Sequence, residues 1–285
     1  MRALIARHAV AAYFVHTFTI SWGGVLLAVG GPAGMTGVRA QENPLFPYAV
    51  LAMVAGPSVT AFLLTVRLDG RSGLRQFRSR LLKWRVGARW YAVALLAAPL
   101  LAAAITMTLS LFSREFRPAI VATDDKAALL LLGLVVGVTA GFFEELGWTG
   151  FAIPRLRQRY GVLATGLIVG VFWSAWHLLV VIWGMGDRAG AIPVALFVIV
   201  DGLAGLPAFR VLMVWVYDRT ESLFVAILMH VGVTLSTLAL TPQTTGLRLL
   251  AYGLMFAAAV WAVIAAIAVL NGRQLSRQPL RTRAA

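Results

Sequence analysis

Cysteine is absent from the 285 residues, which excludes disulfides, iron–sulfur clusters, thiolate metal sites and a cysteine nucleophile together. Any metal would have to be held by histidine and carboxylate. Charge is scarce as well. Only 13% of residues are charged against 60% hydrophobic, which leaves too few polar side chains to clothe a soluble globule of this size. Acids are the scarcest, 11 Asp and Glu against 25 Lys and Arg, for a net charge of +14. Such an excess can signal nucleic acid, but these basic residues fall in short segments between apolar runs rather than on one face. They read as topology signals and lipid head-group contacts, with the bilayer as partner and no nucleic acid.

What is present is a series of apolar runs, each of roughly the twenty residues that cross a hydrocarbon core of ~30 Å. Eight can be placed: Ala9 to Gly30, Leu45 to Val66, Trp90 to Phe112, Ala127 to Ile153, Val162 to Gly184, Pro193 to Val216, Leu223 to Leu240 and Leu247 to Leu270. The expected fold class is all-α, a polytopic membrane helix bundle of about eight transmembrane helices, forming a single membrane domain over residues 1–285. Arg2 and Arg7 before the first run resemble the start of a signal sequence, but the run is longer than a usual signal core and is read as a retained helix. No repeat, low-complexity tract or second domain interrupts the pattern, and the outer loops are short.

An even number of spans puts both termini on one side. That side would carry two basic residues in the N-terminus, eight between the second and third spans, Arg155, Arg157, Arg159, Arg219, and Arg273, Arg277, Arg281 and Arg283 of the tail. The other would carry Arg39, Arg114, Arg117, Lys126, Arg188 and Arg248, so eighteen stand against six and both termini are expected in the cytoplasm. The stretch Arg71 to Arg89, with Leu74, Phe77, Leu81, Leu82 and Trp84 among its charges, is expected along the membrane surface as an amphipathic helix.

An ionisable side chain at membrane depth costs several kcal/mol unless it faces a polar interior, so each is a functional candidate. The candidates are Glu144, Glu145, His177, Asp201, Arg210 and His230. Glu144 and Glu145 are adjacent in GFFEELGWTGF, and two like charges in low dielectric cannot both stay ionised cheaply without a cation. On a helix they diverge by roughly 100°, Glu145 sharing a face with Thr149 and Glu144 with Trp148. They are expected to do different jobs; the bland alternative is a pair that neutralises Arg210 or caps a broken helix end. Neutral imidazole suits both zinc ligation and proton transfer, although a lone membrane histidine is more often an interhelical hydrogen bonder. Thr234 shares a face with His230 and can orient a water or a ligand. Gly141, Gly147 and Gly150 permit close approach, and Trp173, Trp176 and Trp183 read as packing or interface anchors. Measured from the expected cytoplasmic ends, Glu144, His230 and His177 lie ~14, ~10 and ~22 Å deep at ~1.5 Å per residue, which leaves His177 out of level.

Three segments, EELGWTGF followed by IPRL, then WSAWHL, then VWVYDRTESLFVAILMHVGVT, together resemble the motifs of the CAAX prenyl protease and bacteriocin-processing (CPBP) family of intramembrane proteases. The resemblance covers roughly residues 127–240, which would be the catalytic core helices. It implies that Glu144 activates a water molecule, that His177 and His230 hold that water or a divalent metal such as zinc, and that Glu145 supports the site. Glu144, His177 and His230 would be the metal ligands if a metal is bound. In either case a hydroxide-like water attacks a peptide carbonyl and histidines or a cation stabilise the oxyanion.

Two positions depart from the family pattern. The arginine usual after the glutamate pair is Thr149, for which Arg210 is the candidate replacement, and the asparagine usual after the last histidine is Thr234. The expected function is an intramembrane endopeptidase acting on a peptide or membrane protein. The alternatives are a catalytically silent homologue serving as scaffold or immunity protein, which Thr149 and Thr234 favour, and a proton or metal transporter using Glu144, His177 and Asp201. Under the endopeptidase reading Asp201 would simply pair with Arg210.

Overall fold

The computed structural model describes residues 2–35, 42–272 and 274–276. Arg39, Arg273, Arg277, Arg281 and Arg283 of the charge count lie outside the described residues. A short helix, Arg2–Arg7, leads into α1 (Ala9–Val29). It is followed by α2 (Phe46–Leu81), α3 (Ala88–Ser110) and α4 (Lys126–Gly147), the last running on through a π-helical turn, Trp148–Ala152, into Ile153–Leu156. Then come α5 (Val162–Met185), α6 (Val194–Thr220), α7 (Leu223–Leu240) and α8 (Gly246–Leu270). Eight helices among the described residues are long and apolar enough to cross a membrane, and the chain is a multi-pass membrane protein. Large apolar side chains such as Leu27, Leu100, Leu131 and Leu254 point outward, as a lipid solvent requires and water would penalise.

Helix α2 runs fifteen residues past its expected end at Val66, to Leu81. It breaks at Gly70, whose φ of 59° and ψ of −145° a residue with a Cβ resists. The basic stretch expected to be one amphipathic helix from Arg71 to Arg89 is therefore helical only over 71–81. Residues 83–87 are non-helical, and α3 begins at Ala88. The π-helical turns of α4 (148–152) and α6 (198–205) each sit just before a proline, Pro154 and Pro207, whose missing N–H already disturbs the ladder there.

Proline and glycine also set how the helices meet. Pro57 inside α2 leaves the Met53 carbonyl without its helical donor, and Ser21 Oγ of α1 donates to it at 2.6 Å. Gly137 and Gly141 of α4 lie on α7: a Cβ at these positions would stand 3.1 Å from Val231 O and 3.0 Å from Ile227 O. Gly166 and Gly170 of α5 lie on α6, where a Cβ would come within 2.5 Å of Val211 Cα and of Pro207 Cα. These contacts are with backbone, which cannot swing aside, so the two seams fix α4 against α7 and α5 against α6 at the level of the polar residues. Arg157, at the end of α4, is fully buried in an ion pair with Asp218 near the end of α6, and ties those two helices at one edge.

Gly170→Ala is expected to lower the stability of the detergent-solubilised protein by about 1–3 kcal/mol in thermal unfolding, because the methyl meets backbone. Gly23→Ala, at a site with nothing within 4 Å, is expected to leave it unchanged or slightly raised.

Candidate active site

Glu145 is fully buried and both its oxygens are occupied. Arg210 Nη1, from α6, donates to Oε1 at 2.9 Å and to Oε2 at 2.8 Å. Thr149 Oγ1, one turn along α4, donates to Oε2, and His230 Nδ1 of α7 donates to Oε1 at 2.8 Å. Burying this carboxylate without a cation would be prohibitive, and Arg210 supplies one from a different helix. The cation anticipated from the sequence as a stand-in for the missing family arginine is thus in contact with Glu145.

Glu144 is also buried but faces elsewhere. Its Oε2 accepts a hydrogen bond from Trp173 Nε1 of α5 at 2.7 Å, and its Oε1 lies 3.9 Å from His230 Nε2. Because His230 commits Nδ1–H to Glu145, its second ring nitrogen is turned on Glu144. The glutamates are divided as their helical divergence predicts: one is locked by four hydrogen bonds, the other has an oxygen directed at an imidazole.

His177 joins through Trp173. Its Nδ1–H donates to the Trp173 carbonyl at 2.8 Å, and its ring packs edge-on against Trp173 and Trp176 with centroids 5.3 and 4.7 Å away. Trp173 was read from the sequence as a packing residue, and the structure corrects this. Its indole N–H holds Glu144, its ring lies 4.1 Å from Arg210 Cζ, and its carbonyl orients His177. The depth mismatch of His177 is explained in the same way, since Trp173 is ~16 Å along α5 and Glu144 ~18 Å in from Leu156. The one available signal was its place a turn before His177 in WSAWH.

Other expected residues fall outside the cluster. Trp148 is buried among Tyr13, Phe14 and Trp176, not against the glutamates. Thr234 is half-buried, and none of the cluster's hydrogen bonds among the described residues reaches it. Asp201 does not pair with Arg210; it lines a separate cavity of about 280 Å³ with Arg188 and Tyr252. Among the described residues no three His, Asp or Glu side chains converge closely enough to hold a metal ion. Glu144 Oε1 and the Nε2 atoms of His177 and His230 carry no other hydrogen bond among the described residues, but the three do not converge to ligand distance in this arrangement.

The fold and site define a multi-helix membrane protein with a buried, divided glutamate pair facing histidines from two further helices. Residues 126–236 match the family described as Type II CAAX prenyl endopeptidase Rce1-like. A stretch of 137 residues is 26% identical to CAAX prenyl protease 2 of Methanococcus maripaludis, covering 47% of this chain and 48% of that protein. The chain thus spans about half the length of the curated relative it matches. Over this segment the chain is similar to CAAX-type prenyl endopeptidases, in keeping with the resemblance its motifs carry.

Arg210→Ala leaves a buried carboxylate uncompensated and is expected to cost about 3–5 kcal/mol in thermal unfolding. Arg210→Ala combined with Glu145→Gln is expected to cost less than the sum of the two single changes, the mark of direct coupling in a double-mutant cycle.

Proposed function

We propose that this chain is an intramembrane endopeptidase that cleaves a peptide or membrane protein with a water activated by Glu144. The observation that carries the reading is the 3.9 Å separation of Glu144 Oε1 from His230 Nε2, with both groups held from behind. One water oxygen fits across that separation with a hydrogen bond of ordinary length to each side. The water gives one proton to Glu144 while its oxygen bonds to the scissile carbonyl carbon. The Nε2 lone pairs of His230 and His177, whose Nδ1–H groups are committed elsewhere, accept from the water and orient it for attack. As the C–N bond breaks, Glu144 returns the proton to the departing amine. Glu145 touches no reacting atom in this scheme: clamped by Arg210 and Thr149, it holds the His230 ring in the working tautomer.

The match of residues 126–236 to the Rce1-like endopeptidase family supports peptidase chemistry, and the relative's name supports a CAAX-type or comparable membrane-associated substrate class. Both termini are assigned to the cytoplasm on the strength of the basic asymmetry, which places the glutamates nearer that face. The transporter reading loses its footing in the separate position of Asp201. A silent homologue keeps one specific support, Thr234 in place of an amide.

Glu144→Gln, His230→Ala and His177→Ala are each expected to lower peptide cleavage by the reconstituted protein roughly 10²-fold or more, Glu144→Gln with little change in thermal unfolding and His230→Ala with a loss of about 1–3 kcal/mol. Trp173→Phe, which keeps the ring over Arg210 but removes the donor to Glu144, is expected to fall between these and the wild type. Wild-type cleavage in all three histidine and glutamate variants would end the reading, and retention of full biological function would favour the silent homologue.

A further inference from the structure

Two cavities outside the candidate active site are lined by residues of α1 and α2. The first, of about 710 Å³, opens where α1 begins, where α2 breaks at Gly70 and where α4 ends. Arg7, Arg80, Arg155 and Arg159 line it. Asp69 is the one acid among its described lining residues, and it is already paired with Arg155. Arg7, Arg80 and Arg159 thus line the chamber with no carboxylate to pair them among its described lining residues, Arg80 already donating to Tyr217 Oη and the Gln76 carbonyl, and the guanidinium fork matches phosphate oxygens. Ser72 and Gln76 add neutral hydrogen-bonding groups.

The second cavity, of about 690 Å³, is largely apolar, with Ile5, Ile20, Phe62, Leu63 and Val66 beside His16, Thr60 and Arg67, and Phe62 and Leu63 are more than half exposed. Neighbouring residues line the two, Ile5 and Ala6, Leu64 and Thr65, Arg67 and Leu68, so the cavities lie at one level of the helix pair on different sides of it. A cationic chamber at the ends of membrane spans and a largely apolar groove at the same level have together the polarity profile of one molecule, a phosphate at the interface joined to a hydrocarbon chain.

We propose that this composite site binds an anionic glycerophospholipid, its phosphate among Arg7, Arg80 and Arg159 and an acyl chain against Phe62 and Leu63. The lipid would bridge α1, α2 and the end of α4 from outside the candidate active site, and the assignment is independent of any peptidase activity.

The test is thermal unfolding of the full chain in detergent with added phosphatidylglycerol, phosphatidylcholine or sn-glycerol 3-phosphate. Phosphatidylglycerol is expected to raise the midpoint saturably, and the other two are expected not to. Arg7→Ala with Arg159→Ala, both at exposed positions, is expected to unfold as the wild type does without lipid and to need roughly tenfold more phosphatidylglycerol for the same shift. Arg159→Lys, which keeps the charge but loses the fork, is expected to respond between the wild type and the double arginine variant, and Phe62→Ala with Leu63→Ala to weaken the response. An equal effect of phosphatidylcholine, a full effect of glycerol 3-phosphate alone, or an unaltered response in the double arginine variant would overturn the assignment.

Discussion

The candidate site depends on one ion pair, Arg210 with Glu145, both fully buried at membrane depth. Neither charge could be held there alone, since each would face several kcal/mol of desolvation with no water to recover it. Paired, they form a fixed point from which the rest is hung. Thr149 completes the carboxylate from the same helix, and His230 reaches it from α7, so a pair between α4 and α6 recruits a third helix. Trp173 covers the guanidinium face from α5 and passes the constraint to Glu144 through its indole and to His177 through its carbonyl. Four helices are thus tied to one guanidinium.

That arrangement needs the helices close, and glycine supplies the closeness. Gly137 and Gly141 bring α4 against the α7 backbone a turn or two from the glutamates, which sets the reach of His230 to Glu145. Gly166 and Gly170 do the same for α5 and α6, which sets the Trp173 ring over Arg210. In lipid no hydrophobic drive pulls helices together, so such contacts and the polar bonds they permit carry a large share of the association. The packing seams and the polar cluster reinforce each other: without the seams the bonds would be too long, and without the bonds the seams would have less to hold them.

Much of this was legible in the residues. Hydropathy placed eight spans, because a bilayer imposes a length and a polarity that few other folds share. The cost of buried charge singled out Glu144, Glu145, Arg210 and His230, which do meet. The divergence of adjacent helical residues anticipated that Glu145 and Thr149 would pair and that Glu144 would do something else. Illegible were the features that depend on which neighbour a side chain meets. Tryptophan at a membrane position has ordinary apolar uses, so Trp173 gave little sign that its N–H would hold a carboxylate. The extension of α2 beyond Val66 was hidden because a charged, glycine-containing segment carries no hydropathy signal, and Asp201 was paired on paper with a cation that another acid had claimed.

Placing the cation on α6 rather than one turn along α4 has a mechanical consequence. An arginine at position 149 would move with the glutamates it serves, whereas Arg210 moves with α6, so Glu145 here feels the packing of a helix that carries neither glutamate nor histidine. The π-helical turn just before Pro207 and the close contact of Gly170 with Pro207 lie within a turn of Arg210. A shift of α6 along α5 would withdraw the guanidinium from Glu145 and leave the buried carboxylate to Thr149 and His230, with no cation beside it. The threonine at 149 is therefore more than a lost charge: it transfers control of the glutamate pair from the helix that bears it to the seam between α5 and α6.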